Sequence, residues 1–189
     1  MKGCDFVMSE VNKVEKLRKK TRNETIIELM DRYGDMVKKL AFTYVKDMST
    51  AEDVAQDVFI SCYHNIHSFQ GRSSYKTWIY RITINRSKDV LKSSRFKKWL
   101  PFKNDQNHVS KEHSPELRLL KKDDESLVTK SLLSVHEKYR GILYMYFYDE
   151  LKIKEISEIT NLKEGTVKTR ISRGKELLRK ELERRGLER

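Results

Sequence analysis

Apolar residues return along this chain at steps of three and four, and almost nowhere at steps of two. From Glu24 to Val45, Ile26, Ile27, Met30, Tyr33, Val37, Leu40, Ala41 and Tyr44 share one face of a helix of about five turns, with Asn23 as its expected N-cap. Ser49 and Glu52 stand three apart, the spacing of a capping box. The helix they open carries Val54, Ala55, Val58, Cys62 and Ile66 inward. Phe69 to Ser74 loses the pattern, with Gly71 as breaker and Ser74 as the next cap. A third helix then runs from Tyr75 to about Leu91, packing through Trp78, Ile79, Ile82 and Val90.

The stretch 95–114 is polar and aperiodic and holds Pro101, which predicts a linker, although Phe96, Trp99, Leu100 and Phe102 are apolar for one. Ser114, Pro115 and Glu116 restart helix, followed by Leu117, Leu120, Leu127, Val128 and Leu132. A capping box at Ser134 and Glu137 leads into a helix holding Tyr139, Ile142, Leu143, Tyr146 and Phe147. Ile153, Ile156 and Ile159 mark a short helix, Asn161 a tight turn, and Glu164 the start of a second helix that faces inward through Val167 and Ile171. Ahead of all these, Val11, Val14 and Leu17 keep a three-residue step in a Lys-rich start. The expected fold is therefore all-α, with two small helical domains, 24–94 and 115–185, joined by a flexible linker at 95–114.

Composition sharpens that picture. Only 7 Gly and 2 Pro in 189 residues suit long helices. The formal charge of +12 points to a polyanionic partner, nucleic acid ahead of membrane. No apolar run approaches the roughly 20 residues that span a bilayer. The N-terminal stretch lacks the apolar core of a signal peptide, and Cys4 and Cys62 are too few for a disulfide framework. A cytoplasmic protein with reduced thiols is expected.

Charge is unevenly spread. Arg72 to Lys98 holds nine basic residues against the single acid Asp89, with Tyr75, Trp78 and Tyr80 interleaved. Cations that track phosphates beside aromatics that stack on bases suit an unpaired strand. Lys163 to Lys175 holds five basic residues against Glu164. A short helix, a tight turn and a basic second helix are the parts of a helix-turn-helix, whose second helix enters the major groove. Glu52, Asp53 and Asp57 form an acidic spot in this basic chain. The helix macrodipole accounts for the first two but fades before Asp57, so a face for a basic protein partner is the alternative.

Three motifs together resemble the bacterial extracytoplasmic-function (ECF) sigma factors, which keep only sigma regions two and four. AEDVAQDVF, Ala51 to Phe59, is similar to the family helix that docks on the clamp helices of the RNA polymerase β′ subunit. FQGRSSYKTWIYRITINRSKD, Phe69 to Asp89, resembles the segment that melts and reads the −10 element. EGTVKTRISRGKELL, Glu164 to Leu178, resembles the −35 recognition helix and its continuation. Each is weak alone, and their order on one chain is strong. Two positions depart from the family: Val135 stands where Pro is frequent, and Asp149-Glu150-Leu151 occupies a turn where Gly is frequent.

The resemblance implies roles for particular residues. Asp53, Gln56 and Asp57 would hold core polymerase. Phe69, Gln70, Gly71, Arg72, Ser73 and Ser74 would form a pocket for a −10 base flipped from the stack, with Trp78 beside it. Lys76, Arg81, Asn85 and Arg86 would hold the melted strand. Glu164, Gly165, Thr166, Lys168, Thr169, Arg170 and Arg173 would meet the −35 duplex, with Lys168, Arg170 and Arg173 dividing between phosphates and base edges. An anti-sigma factor is implied as a further partner. The two basic surfaces, one on each side of the linker, are expected to keep no fixed spacing in the free chain.

Other classes fit less well. A one-component regulator would use the helix-turn-helix but not the first basic-aromatic segment. Cys62, His64 and His67 are close in sequence, yet on a helix Cys62 and His64 diverge, a poor geometry for one metal. No phosphate-cradling Gly loop or nucleophile-base pair stands out, so no enzyme activity, cofactor or metal is expected.

Overall fold

A computed structural model of the chain describes residues 21–71, 73–93 and 123–186, with the side chains of 123–126 left aside. It contains seven α-helices among the described residues: α1 Arg22–Val45, α2 Met48–Asn65, α3 Tyr75–Lys92, α4 Asp123–Ser134, α5 Glu137–Phe147, α6 Ile153–Thr160 and α7 Glu164–Arg184. A 3-10 turn, Ile66–Ser68, follows α2. There is no strand among the described residues. The N-terminal apolar step, the linker 95–114, the expected helix start at Ser114 with Leu117 and Leu120, and Arg72 lie outside the described residues.

Helix boundaries follow the periodicity, but three caps differ from expectation. Thr21, not Asn23, caps α1: its Oγ1 accepts from the Glu24 N–H, and the Glu24 carboxylate accepts from the Thr21 N–H at 2.9 Å. Asp47, not Ser49, caps α2, accepting from the Thr50 N–H at 3.1 Å and the Thr50 hydroxyl at 2.7 Å. A carboxylate two residues earlier competes well for the orphan amides at the helix start. His136, not Ser134, caps α5 through its Nδ1, while the Ser134 hydroxyl turns back to the Ser131 carbonyl.

The first three helices pack on one another, with Val37, Leu40 and Ala41 of α1 meeting Ala51, Val54, Val58 and Cys62 of α2 and Ile79 of α3. Leu29 joins this core, whereas Ile27 and Met30 are 58% and 47% exposed because they fall at the edge of the α1 stripe. In the second unit α5 lies against α6 and α7, burying Ile142, Leu143, Ile156, Ile159, Val167 and Ile171; Phe147, at the end of α5, is left 47% exposed. Gly174 permits this packing, since a Cβ there would meet Leu143 at 3.0 Å.

The two units do not stand apart. Buried residues of α1 and α3 form one contiguous core with those of α5 and α6, and α1 packs on α5 while α3 packs on α6. The expectation of an unfixed spacing between the two basic surfaces is thus corrected: the second unit is docked on the first. Burial of α3 on two sides explains a second difference. Its inward stripe is Thr77, Ile79, Tyr80, Thr83, Ile84 and Ser87, with Trp78, Ile82 and Val90 only half-buried. The buried Thr83 and Ser87 hydroxyls are satisfied within the helix, Thr83 donating to the Ile79 carbonyl and Ser87 to the Thr83 carbonyl, both at 2.8 Å.

Candidate nucleic-acid and polymerase interface

Three surfaces collect the sequence candidates. On α2, Asp53, Gln56 and Asp57 are all exposed and lie on one strip. Because Asp47 starts the helix at Met48, no acid lies in the first turn. Asp53 and Asp57 both stand beyond the reach of the macrodipole, so neither serves the helix that carries it. Ile60, 55% exposed, continues the strip one turn on. An isoleucine that breaks the inward period on a polar face is a signal legible in the sequence, beyond the three polar candidates. Cys62 lies in the core, where burial pushes its thiol up to about 12, while His64 and His67 are exposed, so the three do not converge.

The second surface is the loop between the 3-10 turn and α3. Phe69 stacks on Tyr75 with ring centroids 4.3 Å apart and leans on Trp78 at 5.3 Å, so the loop and the first turn of α3 form one aromatic cluster. Gly71 sits at φ +67, a left-handed conformation that suits glycine, and Gln70 beside it is exposed. Ser74 closes the loop by accepting from the Thr77 N–H at 3.1 Å, and Ser73 is half-buried. Along α3, Lys76 is half-buried and Arg81, Asn85 and Arg86 are exposed. Arg86 donates to the Ser61 hydroxyl at 2.9 Å, fastening α3 to α2. Tyr80, read from sequence as an aromatic for base stacking, is instead fully buried, its hydroxyl donating to Asp149 Oδ2 at 2.7 Å. Burial and the Asp149 carboxylate together raise its pKa strongly.

The third surface is the helix-turn-helix. Asn161 ends α6 at φ 55, the left-handed turn its identity suggested. The Ser157 hydroxyl donates to the Leu162 carbonyl at 2.6 Å, and the Leu162 N–H returns to the Ser157 carbonyl at 3.3 Å, which locks the turn. Helix α7 begins at Glu164 and buries Val167 and Ile171. Gly165, Thr166, Lys168, Thr169 and Arg173 are exposed with Glu164, and Arg170 is half-buried. The Thr169 hydroxyl donates to the Gly165 carbonyl at 2.9 Å. Lys168 and Lys175 flank a shallow cavity of about 250 Å³ floored by Ile153 and Ile171.

No described helix is long and apolar enough to cross a membrane. Residues 29–97 match Sigma-70 region 2, and residues 127–178 match Sigma-70, region 4. The ECF RNA polymerase sigma factor SigW of Bacillus subtilis (strain 168) is 32% identical over 172 residues, covering 87% of this chain and 92% of SigW. The RNA polymerase sigma-H factor of Pseudomonas aeruginosa is 29% identical over 163 residues, covering 82% and 84%. Among solved structures, the sigma factor RpoE in complex with the anti-sigma factor NepR from Bartonella quintana shares the fold with a TM-score of 0.65 at 18% identity, over 88% of this chain and 99% of that one. CnrH in complex with the cytosolic domain of CnrY gives 0.63 at 18% identity, over 85% and 89%. With both sigma regions matched in order and SigW matched nearly end to end, the chain belongs to the ECF sigma factors, which bind core RNA polymerase and direct initiation at promoters through −35 and −10 elements.

Proposed function

We propose that this sigma factor divides its work among the three surfaces as follows. Asp53, Gln56 and Asp57, extended by Ile60, hold the β′ clamp helices of core polymerase. The loop from Phe69 to Ser74, with Trp78 behind it, receives a −10 base flipped out of the duplex, and Lys76, Arg81, Asn85 and Arg86 hold the melted strand. Lys168, Arg170 and Arg173 meet the −35 duplex, with Glu164, Gly165, Thr166 and Thr169 setting how closely α7 enters the groove. The working domains are 24–94 and 115–185, and the linker 95–114 spans them.

One observation supports the polymerase surface above the rest. Asp53 and Asp57 are exposed carboxylates in a chain of net charge +12, placed past the first turn where they give their helix nothing. A basic or amide-rich partner surface is the complement that would make them useful. Regulation by an anti-sigma protein belongs to the same reading, since RpoE is held by NepR in its solved complex.

The test is co-purification with core enzyme. Asp53→Arg together with Asp57→Arg should cut retention by about tenfold or more while leaving the helical circular dichroism unchanged, because both side chains are exposed. Retention equal to the unaltered chain refutes the assignment of this face.

A further inference from the structure

The cavity of about 250 Å³ lies where the end of α5 and the start of α6 meet the flank of α7. Its floor is apolar, made by Ile153 and Ile171, and Tyr146 stands on its α5 side. Lys168, Ser172 and Lys175 form the α7 wall. Steps of four and then three residues put these side chains on one face of the helix, with the hydroxyl between the two ammonium groups. Of the six, Lys168 alone belongs to the −35 surface proposed for α7.

The charge around the cavity is one-sided. No carboxylate among the described residues lines it. Glu176 and Glu155, the acids nearest in sequence to Lys175 and Ile153, are engaged elsewhere: Glu176 pairs with Lys180 Nζ at 3.2 Å, and Glu155 accepts from the Lys152 N–H at 2.8 Å. Among the described residues neither Lys168 nor Lys175 has a carboxylate partner. Lys175 lies instead over the Phe147 ring, with Nζ 6.0 Å from the ring centroid. An aromatic face steadies a cation without neutralising it, so the rim keeps its positive charge.

We propose that this cavity binds a small arylcarboxylate. The ring lies on Ile153 and Ile171, and the carboxylate accepts from the Ser172 hydroxyl and from the Lys168 and Lys175 ammonium groups. An apolar floor beside unpaired cations complements a molecule with an apolar body and one anionic end. Drug-sized ligands fill pockets of roughly 300–1,000 Å³, so this smaller cavity suits a single ring with its carboxylate. At about 0.3 kcal/mol or somewhat more per non-hydrogen atom, such a ligand binds in the low millimolar range. The bound anion takes Lys168 from the duplex, so ligand and −35 DNA compete. That competition, unlike the binding itself, rests on the place given to Lys168 on the −35 surface.

Benzoate is the probe, titrated at constant ionic strength into the full chain labelled at its isoleucine methyl groups and followed by NMR. Saturable shifts are expected at Ile153 and Ile171, with Ile26 and Ile79 in the core of the first unit unmoved. Benzamide has the same shape without the charge and should bind at least about threefold more weakly. Lys175→Gln should weaken benzoate by about threefold to fivefold, whereas Lys154→Gln, exposed on α6 outside the cavity, should leave it unchanged. Shifts that grow linearly to about 30 mM overturn the proposal, as does equal binding of benzoate and benzamide. The same saturable shifts from inorganic phosphate also overturn it, and would mark a seat for a DNA phosphate. In a second arm, saturating benzoate should lower the affinity for a −35 duplex about fivefold or more. Saturable binding with duplex affinity unchanged would overturn the competition, and with it the place of Lys168 on the −35 surface.

Discussion

Helices α3 and α7 carry the two basic segments of the chain, and they are built in opposite ways. Helix α3 is wedged between the units, with Ile79, Tyr80 and Thr83 fully buried and two of its arginines bonded to other helices. Helix α7 rests on its own unit through Val167, Ile171 and Gly174, and it presents Lys168 and Arg173 to solvent. Equal charge density in the sequence thus covers two commitments: one helix is structural on most of its circumference, and the other keeps a whole face for a ligand. A substitution on α3 should accordingly disturb folding and binding together, whereas one on α7 should disturb binding alone.

The largest expected effect lies at the contact that docks α5 on α1, beside α3. Arg140 donates to four carbonyls, those of Leu133 and Val135 as well as Thr43 and Tyr44, in a site dry enough that burial lowers its pKa to about 10. Arg140→Ala should cost about 3 kcal/mol or more, read as a lowered urea midpoint of the full chain. On α7, Arg170→Ala or Arg173→Ala should leave that midpoint within about 0.5 kcal/mol. Each should weaken promoter recognition by about 1–3 kcal/mol if it reads a base, with altered preference at one position. A nearly sequence-independent loss, with a salt slope smaller by about one, would assign it to phosphate. Stability losses as large on α7 as at Arg140 would erase the comparison.

Smaller effects sharpen it. Tyr80→Phe should cost about 1 kcal/mol of stability, because it strips the half-buried Asp149 carboxylate of its hydroxyl donor. Asp149 itself sits above its usual value of 3.8, raised by burial and held back by the Tyr80 hydrogen bond. A raised carboxyl binds its proton more tightly in the folded chain, so its contribution to stability is fullest in acid and declines as pH rises through the folded value. Asp149→Asn should therefore gain on the unaltered chain as pH climbs above 3.8, measured as paired urea midpoints. Glu150 occupies φ 52, a left-handed conformation that favours glycine. Glu150→Gly should stabilise the chain by up to about 1 kcal/mol, read as a higher thermal midpoint.

Most of the helices were legible because an inward stripe repeats every three or four residues whatever it packs against. The ends of α3, α6 and α7 were legible for local reasons, Ser74, Asn161 and Glu164 each acting within one turn of the backbone. What the periodicity could not reveal was a second neighbour. Tyr80 looks like a surface aromatic when α3 is matched only to its own unit, and Ile27 and Met30 look internal until the width of the α1 stripe is known. Asp47 is hidden as a cap in the sequence because Ser49 and Glu52 offer a competing box two residues later. Among the candidate residues, those on α2 and α7 lie where the sequence put them, on outer faces. Arg81 carries a bond to another unit that no linear spacing encodes.

The account rests on a division of labour in which this chain supplies promoter choice and the polymerase supplies the second grip. Run-off transcription with core RNA polymerase on a promoter carrying both elements tests it most directly, with and without the protein at fixed salt. A discrete transcript that needs the chain, disappears with Asp53→Arg and Asp57→Arg together, and is lost on scrambled −35 or −10 elements is the predicted result. Tight, sequence-specific capture of the same promoter by the chain alone, with no transcript dependent on it, would contradict the account and identify a one-component DNA-binding regulator instead.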